Sequence, residues 1–336
     1  MPGSLEDEHK LEAQFEAQFE GKSCLAISGG VGGAKLALGL TKVLSPQQLS
    51  IVANTGDDFQ HLGFTICPDL DTVMYTLADL SNKKLGWGLA NESWNFLAAL
   101  EKLEGETWFR LGDRDLATHT ARSGLLRQGK TLSEATMIMS KALGIAHPII
   151  PMSDDTISTR VHIANSKTLA FQHYFVRDKC VPVVTGFEFV GIDSALPSPG
   201  FSKALASETL ACVLICPSNP FVSVDPVLKI PGVMEALKKS GAPVVAVSPI
   251  VGGKAIKGPA AKMMRELGMP QTALAVAAHY QGRIDGFIID KADKAMQSDI
   301  EALGIPTLVT DTVMVSLQDR VDLAAACLQF VSQITA

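Results

Sequence analysis

The stretch that decides the fold is CLAISGGVGGAKLALGLTKVL, residues 24–44. It begins as an apolar run, passes through a glycine-rich turn and continues with apolar residues at helical spacing. This pattern predicts a strand, a tight loop and a helix, which is the first unit of a nucleotide-binding α/β domain. Glycines let backbone amides approach a phosphate, and the start of the following helix carries a partial positive charge. The stretch therefore predicts a binding site for an anion.

The glycine spacing fits neither of the two common nucleotide fingerprints. A GxGxxG motif would require glycine at Lys35, and a GxxxxGK[ST] motif would require glycine at Ala34. The stretch alone therefore predicts neither an NAD site nor a Walker-type ATP site. A strand-to-helix turn that binds no ligand is the alternative interpretation.

Composition narrows the class of protein. The chain has 336 residues, of which 47% are apolar, and a net charge of −6 without a cluster of lysine or arginine. This balance argues against nucleic acid or an anionic membrane as a partner. No apolar run approaches the roughly 20 residues of a membrane span. The six cysteines form no CxxC pair and lie mostly in apolar runs, which predicts buried thiols and a cytoplasmic location.

Strand-like runs followed by loops and helical patterns recur along the chain, including LSIVAN (49–54), VPVVTGFEFVGI (181–192) and LACVLI (210–215). They predict an α/β fold with a doubly wound, mostly parallel, Rossmann-like sheet. Residues 81–144 lack such strands and are predicted to form an inserted helical subdomain that covers the active site. The sheet domain then comprises residues 23–80 and 145–336, and residues 1–22 form an acidic extension outside it.

Three loops follow predicted strands and should meet at one edge of the sheet: Ser28–Lys35, Ser218–Pro220 and Ser248–Pro259. Glycines and lysines in the last loop suit a diphosphate. A surface turn with solvated lysines is the alternative for that loop, and Asn219 is equally suited to a turn. The candidate nucleotide-binding residues are Ser28, Gly29, Gly30, Gly32, Gly33, Lys35, Ser218, Asn219, Pro220, Ser248, Gly252, Gly253 and Lys254.

Four carboxylates follow the second predicted strand: Asp57, Asp58, Asp69 and Asp71. Hard oxygen ligands near phosphates favour Mg²⁺, which commonly uses one or two protein carboxylates together with water and substrate. Asp58 and Asp71 are the predicted metal ligands. Asp69 falls in the first turn of a predicted helix, where a negative charge is favourable on its own account.

Two further groups of side chains are open to two interpretations. His119 and Arg122 lie three residues apart on a predicted helix and are therefore neighbours, either as ligand contacts or as structural residues. Trp87 and Trp94 suit stacking on a flat heteroaromatic ligand and equally suit core packing.

The motifs taken together resemble the 2-phospho-L-lactate transferases of coenzyme F420 biosynthesis. The resemblance runs from about residue 24 to the C-terminus and is specific because long motifs recur in order: SGGVGGAKLALGL (28–40), NTGDDFQHLGFTICPDLDTVMYTL (54–77), LGDRDLATHTAR (111–122), LLRQGKTLSEAT (125–136), PMSDDTISTRV (151–161), PSNP (217–220) and SPIVGGKAIKGP (248–259). It implies transfer of a phospho-acid group from a guanosine diphosphate ester to the ribityl hydroxyl of the deazaflavin Fo, with release of GMP. It also implies Mg²⁺ as cofactor and a homodimer.

The resemblance implies roles for individual residues. Asp58 and Asp71 would bind Mg²⁺, and Asp57 is the candidate base or a second metal contact. Lys257 with the Gly252–Gly253 amides would stabilise the departing phosphate. Fo would lie between the helical insert and the sheet edge, near the following residues: Asn54, Tyr75, Trp87, Asn91, His119 and Arg122.

Two other classes of protein stay open at this point. A related family of gluconeogenesis factors binds sugar nucleotides in a regulatory role without transfer, and is expected to lack the carboxylates of the PDLDT motif (68–72), which this chain has. A nicotinamide dehydrogenase is disfavoured by the glycine spacing. The sequence does not decide among phospholactate, phosphoenolpyruvate and 3-phosphoglycerate as the transferred acid, because those acids differ only by small groups.

Overall fold

The computed structural model describes residue 15, residues 17–83 and residues 86–335. The predicted acidic extension lies largely outside these residues. Fourteen strands are present within them: β1 (Ser23–Ser28), β2 (Leu49–Ala53), β3 (Phe59–His61), β4 (Phe64–Ile66), β5 (Ile149–Pro151), β6 (Ser158–Ile163), β7 (Lys167–Ala170), β8 (Val184–Val190), β9 (Leu210–Ile215), β10 (Val244–Val247), β11 (Ile250–Val251), β12 (Lys254–Ala255), β13 (Gly286–Asp290) and β14 (Thr307–Thr310).

The α-helices flank the central sheet or belong to the predicted insert: α1 (Gly30–Leu40), α2 (Pro68–Leu77), α3 (Asn95–Lys102), α4 (Asp113–Arg127), α5 (Leu132–Ala142), α6 (Pro199–Leu205), α7 (Asp225–Leu228), α8 (Val233–Ser240), α9 (Ala260–Glu266), α10 (Ala273–Tyr280), α11 (Gln297–Glu301) and α12 (Leu317–Thr335). Among the described helices, none combines the length and apolar character that crossing a bilayer requires.

A seven-stranded parallel sheet forms the centre of the molecule, in the order β14-β13-β10-β9-β1-β2-β5. The chain builds one half outward from β1 and the other half outward from β9, so the predicted doubly wound α/β fold is confirmed. β1 and β9 are neighbours from which the connections run in opposite directions. Ligands of such sheets bind in the crevice beyond the carboxyl ends of those two strands.

Hydrophobic cores lie on both faces of this sheet because successive side chains of a strand point to opposite sides. In β1, Leu25 and Ile27 belong to one core, whereas Cys24 and Ala26 belong to the other. Both faces are buried, as expected for a parallel sheet covered by helices. The prediction of buried thiols holds for five cysteines, and the sixth is half-buried: Cys24, Cys67, Cys212, Cys216, Cys327 and Cys180.

One predicted part of the central sheet forms a sheet of its own. β6 pairs antiparallel with β7 and β8 in a three-stranded sheet, so residues 181–192 contribute a strand but not to the parallel sheet. The burial of β8 explains this, because most of its side chains are partly or fully exposed. A strand that keeps one face towards solvent suits an antiparallel sheet.

The segment 81–144 contains α3, α4 and α5, and no named strand occurs in its described residues. α4 packs against β4, and α5 packs against β5 at one edge of the central sheet. Thr131 caps α5 in a capping box with Glu134, as the sequence allows. The insert is therefore attached to the edge strand of the sheet.

The predicted boundary of the N-terminal extension needs correction. Phe15 and Phe19 are buried in the core that also contains α12, and the Gln18 amide donates to the Ser332 hydroxyl. The described part of residues 1–22 therefore packs onto the sheet domain. Phe15 and Phe19 lie in an acidic stretch, but their spacing of four residues places both on one face of a helix.

The phosphate-loop helix α1 packs closely on α12. A Cβ atom at Gly39 would lie 2.0 Å from the Arg320 carbonyl oxygen, so the two backbones approach at a position that only glycine permits. α12 is thereby held against the face of α1.

Gly39→Ala is expected to lower the free energy of unfolding by about 2 kcal/mol, because the added methyl must displace the backbone of α12. The matched control is Gly124→Ala in α4, where a Cβ meets no atom within 4 Å; this change should raise stability by about 0.5–1 kcal/mol. Urea unfolding measures both. Equal effects of the two substitutions would contradict the close α1–α12 contact.

Candidate functional site

The loops after β1 and β9 touch at the crevice where the two strands diverge. The Gly29 amide donates to the Ser218 hydroxyl at 3.0 Å. A Cβ at Gly33 would lie 2.6 Å from the Ser28 hydroxyl oxygen and 2.8 Å from that of Ser218. The prediction that these loops share an edge is correct, and part of the glycine requirement comes from the approach of the loops to each other.

Two amides predicted to hold phosphate have partners within the protein. Besides the Gly29 amide, the Gly30 amide donates to Asp69 Oδ1 at 2.6 Å. The following amides belong to the first turn of α1, whose N-cap residue Gly29 has no side chain to cap them, and such amides suit an anion. The Ser28 hydroxyl is buried beside them and has no hydrogen-bond partner in the part of the chain that the structure describes. The candidate anion site is thus the first turn of α1 rather than the Gly29 and Gly30 amides.

Asn54 joins the acidic side chains to the phosphate loop. It follows β2, is fully buried, and its Nδ2 donates to Asp57 Oδ1 at 3.0 Å and to Asp69 Oδ2 at 2.9 Å. Its Oδ1 accepts from the Gly56 amide at 2.8 Å. Because Asp69 also binds the Gly30 amide, β2, α2 and the phosphate loop are connected through consecutive hydrogen bonds. The carboxylates and the glycine loop therefore do share one site.

The two acidic residues after β2 differ in their surroundings. Asp57 Oδ2 accepts from Gln172 Nε2 at 3.1 Å, so both of its oxygens have partners. Asp58 is half-buried, and its Oδ1 is a buried atom without a hydrogen-bond partner among the described residues. Gln172 lies 115 residues from Asp57, and no local sequence signal points to it. Asp58 is the carboxylate best placed to receive an external ligand.

Burial makes these carboxylates weak acids. Burial, followed by the neighbouring charges of Asp69 and Asp58, raises the pKa of Asp57 well above its usual range. Burial also raises the pKa of Asp58, against the effect of nearby Cys67 and Arg122. For Asp69 burial raises the pKa to about 6, although Asn54 and Gly30 donate hydrogen bonds to it. Three crowded carboxylates with raised pKa values favour the binding of a cation.

Asp71 has a different partner. Arg122 from α4 donates from Nη1 to Asp71 Oδ2 at 3.2 Å and from Nη2 to Asp71 Oδ1. Both side chains are almost completely buried, and Arg122 Nη1 also contacts the Thr65 carbonyl at 3.3 Å. Burial opposes the charge of Arg122, but the Asp71 carboxylate raises its pKa. Asp71 therefore holds the helical insert to α2, and its assignment as a metal ligand stays a prediction.

Four of the residues predicted to contact Fo have buried side chains with contacts inside the protein: Asn54, Tyr75, His119 and Arg122. Their contact with Fo stays a prediction. Asn54 binds the carboxylates. The Tyr75 hydroxyl donates to Asp115 Oδ1 at 2.6 Å, and His119 lies between Asp115 and Asp71 at 3.4 and 3.7 Å. His119 and Arg122 lie on the face of α4 that is turned towards α2, where both contact Asp71. Trp87 and Asn91 are exposed and stay candidates for contact with Fo.

The third predicted loop forms the β11–β12 hairpin. The Gly252 amide donates to the Asp293 carboxylate and Ser248 is buried, so neither is free to bind a phosphate. Gly253 and Lys254 complete the exposed end of the hairpin. Lys257 lies nearer the phosphate loop: a Cβ at Gly86 would be 3.8 Å from Lys257 Nζ and 3.3 Å from a methyl of Val31 in α1. Lys257 is thus the residue of this loop that reaches the candidate site.

The PSNP loop is largely used for its own turn. Asn219 Oδ1 accepts from the Phe221 amide at 3.0 Å, and Nδ2 contacts the Met263 sulfur at 3.4 Å. Pro220 begins the π-helical turn 220–224 and is buried. The turn interpretation of Asn219 is therefore the one that the structure supports, while Ser218 contributes to the phosphate loop.

A cluster of rings beside Asp58 was not predicted. His61 is 3% exposed and packs against Trp108 with ring centroids 5.1 Å apart. Its Nε2 has no hydrogen-bond partner within the described ranges. Trp108 in turn lies 4.7 Å from the ring of His173. Five rings from three separate segments make up this cluster: Phe59, His61, Trp108, Phe109 and His173. Only the fold brings those segments together.

The acidic cluster has the chemistry of a divalent-ion site. Among the described residues, one oxygen of Asp58 has no hydrogen-bond partner, and Asp57 and Asp69 lie close to it beside the first turn of α1. Among the described residues, no three His, Cys, Asp or Glu side chains already surround a metal position. Mg²⁺ retains waters and commonly takes only one or two protein carboxylates, with substrate phosphate supplying further ligands. The residues fit such an ion.

A separate cavity lies elsewhere in the described part of the chain. It has a volume of about 500 Å³, lies at the opposite edge of the sheet, and is lined in part by Lys238, Arg283 and Asp285. Lys238 precedes the amino end of β10, and Arg283 and Asp285 precede the amino end of β13. Because ligands of doubly wound sheets bind at the carboxyl ends of the strands, the crevice between β1 and β9 is the better candidate site.

Comparisons with known proteins agree on the family. A family model described as 2-phospho-L-lactate transferase CofD matches residues 24–319. The chain is 38% identical to the phosphoenolpyruvate transferase of Kitasatospora aureofaciens over 316 residues, covering 92% of this chain and 98% of that one. It is 37% identical to the 2-phospho-L-lactate transferase of Methanosarcina mazei over 305 residues, covering 91% and 99%.

A comparison of folds gives a consistent result. A crystal structure of a UPF0052-family protein from Bacillus halodurans superposes with a TM-score of 0.59 at 16% identity, covering 91% of this chain and 98% of that one. At this identity the likeness concerns the fold alone. It supports the α/β architecture described above.

Arg122→Met is expected to lower the free energy of unfolding by about 3 kcal/mol, because it leaves the Asp71 carboxylate buried without its partner. Combining it with Asp71→Asn should cost less than the sum of the two single changes. Lys291→Met, which breaks the exposed pair with Asp311, should cost no more than about 1 kcal/mol. Strict additivity of the two buried substitutions in urea unfolding would contradict the pairing.

Asp69 should make stability depend on pH. Its pKa is about 6 in the folded chain and about 3.9 when unfolded, so the folded state holds its proton more tightly between these values. Its contribution to stability is complete below pH 4 and is lost as pH rises through 6. In metal-free buffer, the stability of Asp69→Asn relative to the unsubstituted chain should therefore increase from pH 4 to pH 7. Parallel pH profiles of unfolding would contradict the raised pKa.

Proposed function

The chain belongs to the 2-phospho-L-lactate transferase (CofD) family, and from this premise we propose that it transfers a three-carbon phospho-acid from a guanosine diphosphate ester to the ribityl hydroxyl of Fo. GMP is the second product. Membership of the family makes the chain a phospho-acid transferase of coenzyme F420 biosynthesis. The donor, the acceptor and the released nucleotide are the parts that we propose.

One observation carries the proposal: the acidic residues are hydrogen-bonded to the loop that would hold the donor. Asp69 binds both the Gly30 amide and Asn54, and Asn54 binds Asp57. A transfer of this kind requires a diphosphate held by amides and cations, with its charge balanced and an alcohol in line with the phosphorus. A helix N-terminus beside a carboxylate cluster supports that chemistry.

In the proposed reaction the ribityl hydroxyl oxygen attacks the phosphorus that carries the acid. The new P–O bond forms while the P–O bond to the GMP oxygen breaks, and the hydroxyl proton passes to a carboxylate. Asp57 is the proposed acceptor of this proton, since burial raises the pKa of its carboxyl group and so makes the carboxylate a stronger base. Gln172 and Asn54 orient it. The start of α1 and Lys257 bind the phosphate that leaves with GMP.

Mg²⁺ is the proposed cofactor, with the unpartnered oxygen of Asp58 as a direct ligand and Asp57 and Asp69 as nearby charges. When bound, it would neutralise phosphate charge. In this proposal Asp71 forms an ion pair with Arg122. This ion pair holds α2, and hence Asp69, in place. Trp87 and Asn91 are the proposed contacts of Fo.

The transferred acid is left as a class. A relative named phosphoenolpyruvate transferase is 38% identical to this chain, and a relative named 2-phospho-L-lactate transferase is 37% identical. Sequence identity therefore does not separate the two acids. Such acids differ by small groups, which a pocket distinguishes through a few contacts.

A homodimer is part of the proposal.

The direct test is mass spectrometry of the products after the purified protein is incubated with Fo, Mg²⁺ and each guanylated acid in turn. We expect an Fo–phospho-acid product and an equal amount of GMP from at least one donor. Asp58→Asn should lower the rate by about 100-fold or more, whereas Asp193→Asn at an exposed site should leave it unchanged.

Absence of product with every donor would contradict the proposal, as would full activity of Asp58→Asn. Tight binding of a UDP-sugar without turnover would support the regulatory alternative instead.

A further inference from the structure

Glu92 directly follows Asn91 and binds the start of α4. Its Oε2 accepts a hydrogen bond from the Arg114 amide at 2.8 Å, and its Oε1 accepts one from the Asp115 amide at 2.7 Å. The N-cap residue of α4 is Gly112, which has no side chain to cap these amides. Glu92 therefore supplies, from another segment, the acceptors that the first turn of α4 lacks.

The contact between these two segments is close and reciprocal. A Cβ atom at Gly112 would collide with the Glu92 carboxyl group, so the carboxyl group fills the space in front of this glycine. In return, the Asp113 carboxylate accepts from the Ser93 hydroxyl at 2.6 Å and from the Phe96 amide at 3.0 Å, at the start of α3. Each segment thus caps the helix that follows the other.

Asn91 has a left-handed backbone conformation, with a φ of 56°, which is uncommon for a residue other than glycine. The chain is tied to α4 on both sides of it, because Arg114 Nη1 donates to the Ala90 carbonyl at 2.8 Å and Glu92 accepts from the Arg114 amide. Such a conformation persists where the surrounding contacts over-determine it. Since Asn91 is exposed, these contacts fix its backbone while leaving its side chain accessible to a ligand.

The segment before Asn91 reaches the phosphate loop. A Cβ atom at Gly86 would lie 3.3 Å from a methyl of Val31, in the first turn of α1. The next residue, Trp87, is 49% exposed although it is large and apolar. Trp87 therefore lies at the edge of the candidate anion site.

α4 is in turn held against the acidic helix α2 at two points. Near its start, the Tyr75 hydroxyl donates to the Asp115 carboxylate at 2.6 Å. Further along, Arg122 donates to the Asp71 carboxylate. Any shift of the Glu92 segment relative to α4 would therefore also be a shift relative to the carboxylates of the candidate site.

We propose that Glu92 is a positioning residue for the acceptor. By capping α4 it holds Trp87 and Asn91, the proposed contacts of Fo, at a fixed place relative to the acidic cluster. The identity of the acceptor rests on the proposed function, whereas the hydrogen bonds between Glu92 and α4 do not. Loss of these bonds should misplace the acceptor and leave the donor site at the start of α1 unchanged.

Steady-state kinetics of Glu92→Gln test this role. Glutamine has the same size but presents only one acceptor oxygen, so its NH₂ group would face the amide of Arg114 or Asp115. We expect KM for Fo to rise about tenfold, with KM for the guanylated donor unchanged. Glu92→Asp, which keeps the carboxylate, should recover part of the loss. Glu101→Gln, at an exposed site on α3, is the matched control and should change neither constant.

Binding of Fo without donor, measured by isothermal titration, separates this inference from the proposed function. Weaker binding of Fo by Glu92→Gln, with no product from any donor, would contradict the transfer but support the positioning role. An equal rise of both KM values, or an unchanged KM for Fo, would overturn the positioning role, as would an unsubstituted chain that does not bind Fo. If Glu92→Gln does not fold, Arg114→Gln is the second variant, because it removes only the exposed contact with the Ala90 carbonyl; the same difference between the two KM values is expected.

Discussion

The hydrogen bond from the Gly30 amide to Asp69 is the contact on which the rest of the site depends. It connects the loop after β1 to the start of α2, and Asn54 extends the connection to Asp57 after β2. Without it, no hydrogen bond from Asp69 would join the carboxylates to the first turn of α1. With it, negative oxygens and anion-binding amides face the same crevice, which is the combination that a metal–diphosphate substrate requires.

Burial of so many charges is costly unless each has a partner. Arg122 provides one from the helical insert by binding Asp71, and α4 also binds both backbone groups of Thr65 through Arg122 and Ser123. The insert therefore does more than cover the sheet edge, since it contributes a buried cation to the acidic helix. Asp58 retains an oxygen without a partner, and the cluster is left in need of a cation.

Sequence patterns predicted the features that depend on local order. The strand, loop and helix of residues 24–44 and the delivery of Asp57 and Asp58 to the carboxyl edge follow from apolar runs and parallel topology. Contacts between distant segments were not predictable, because no local pattern encodes them. Gln172 beside Asp57 and Glu92 beside the Asp115 amide are examples.

The inward-facing His119 and Arg122 show the same limit. Helical spacing placed them together correctly but does not tell a face turned towards a ligand from one turned towards Asp71. Likewise β6 and β8 pair with each other in a sheet separate from the central one, and strand patterns alone do not indicate which strands become partners.

The central claim is that one crevice holds both a divalent ion and a guanine nucleotide. Anomalous diffraction from a crystal grown with Mn²⁺ and GDP tests it most directly, since Mn²⁺ accepts the same oxygen ligands as Mg²⁺. The account predicts a manganese peak at the Asp58 carboxylate, with the diphosphate at the first turn of α1. Manganese and GDP bound instead in the cavity lined by Lys238 and Arg283, at the opposite edge of the sheet, would contradict it.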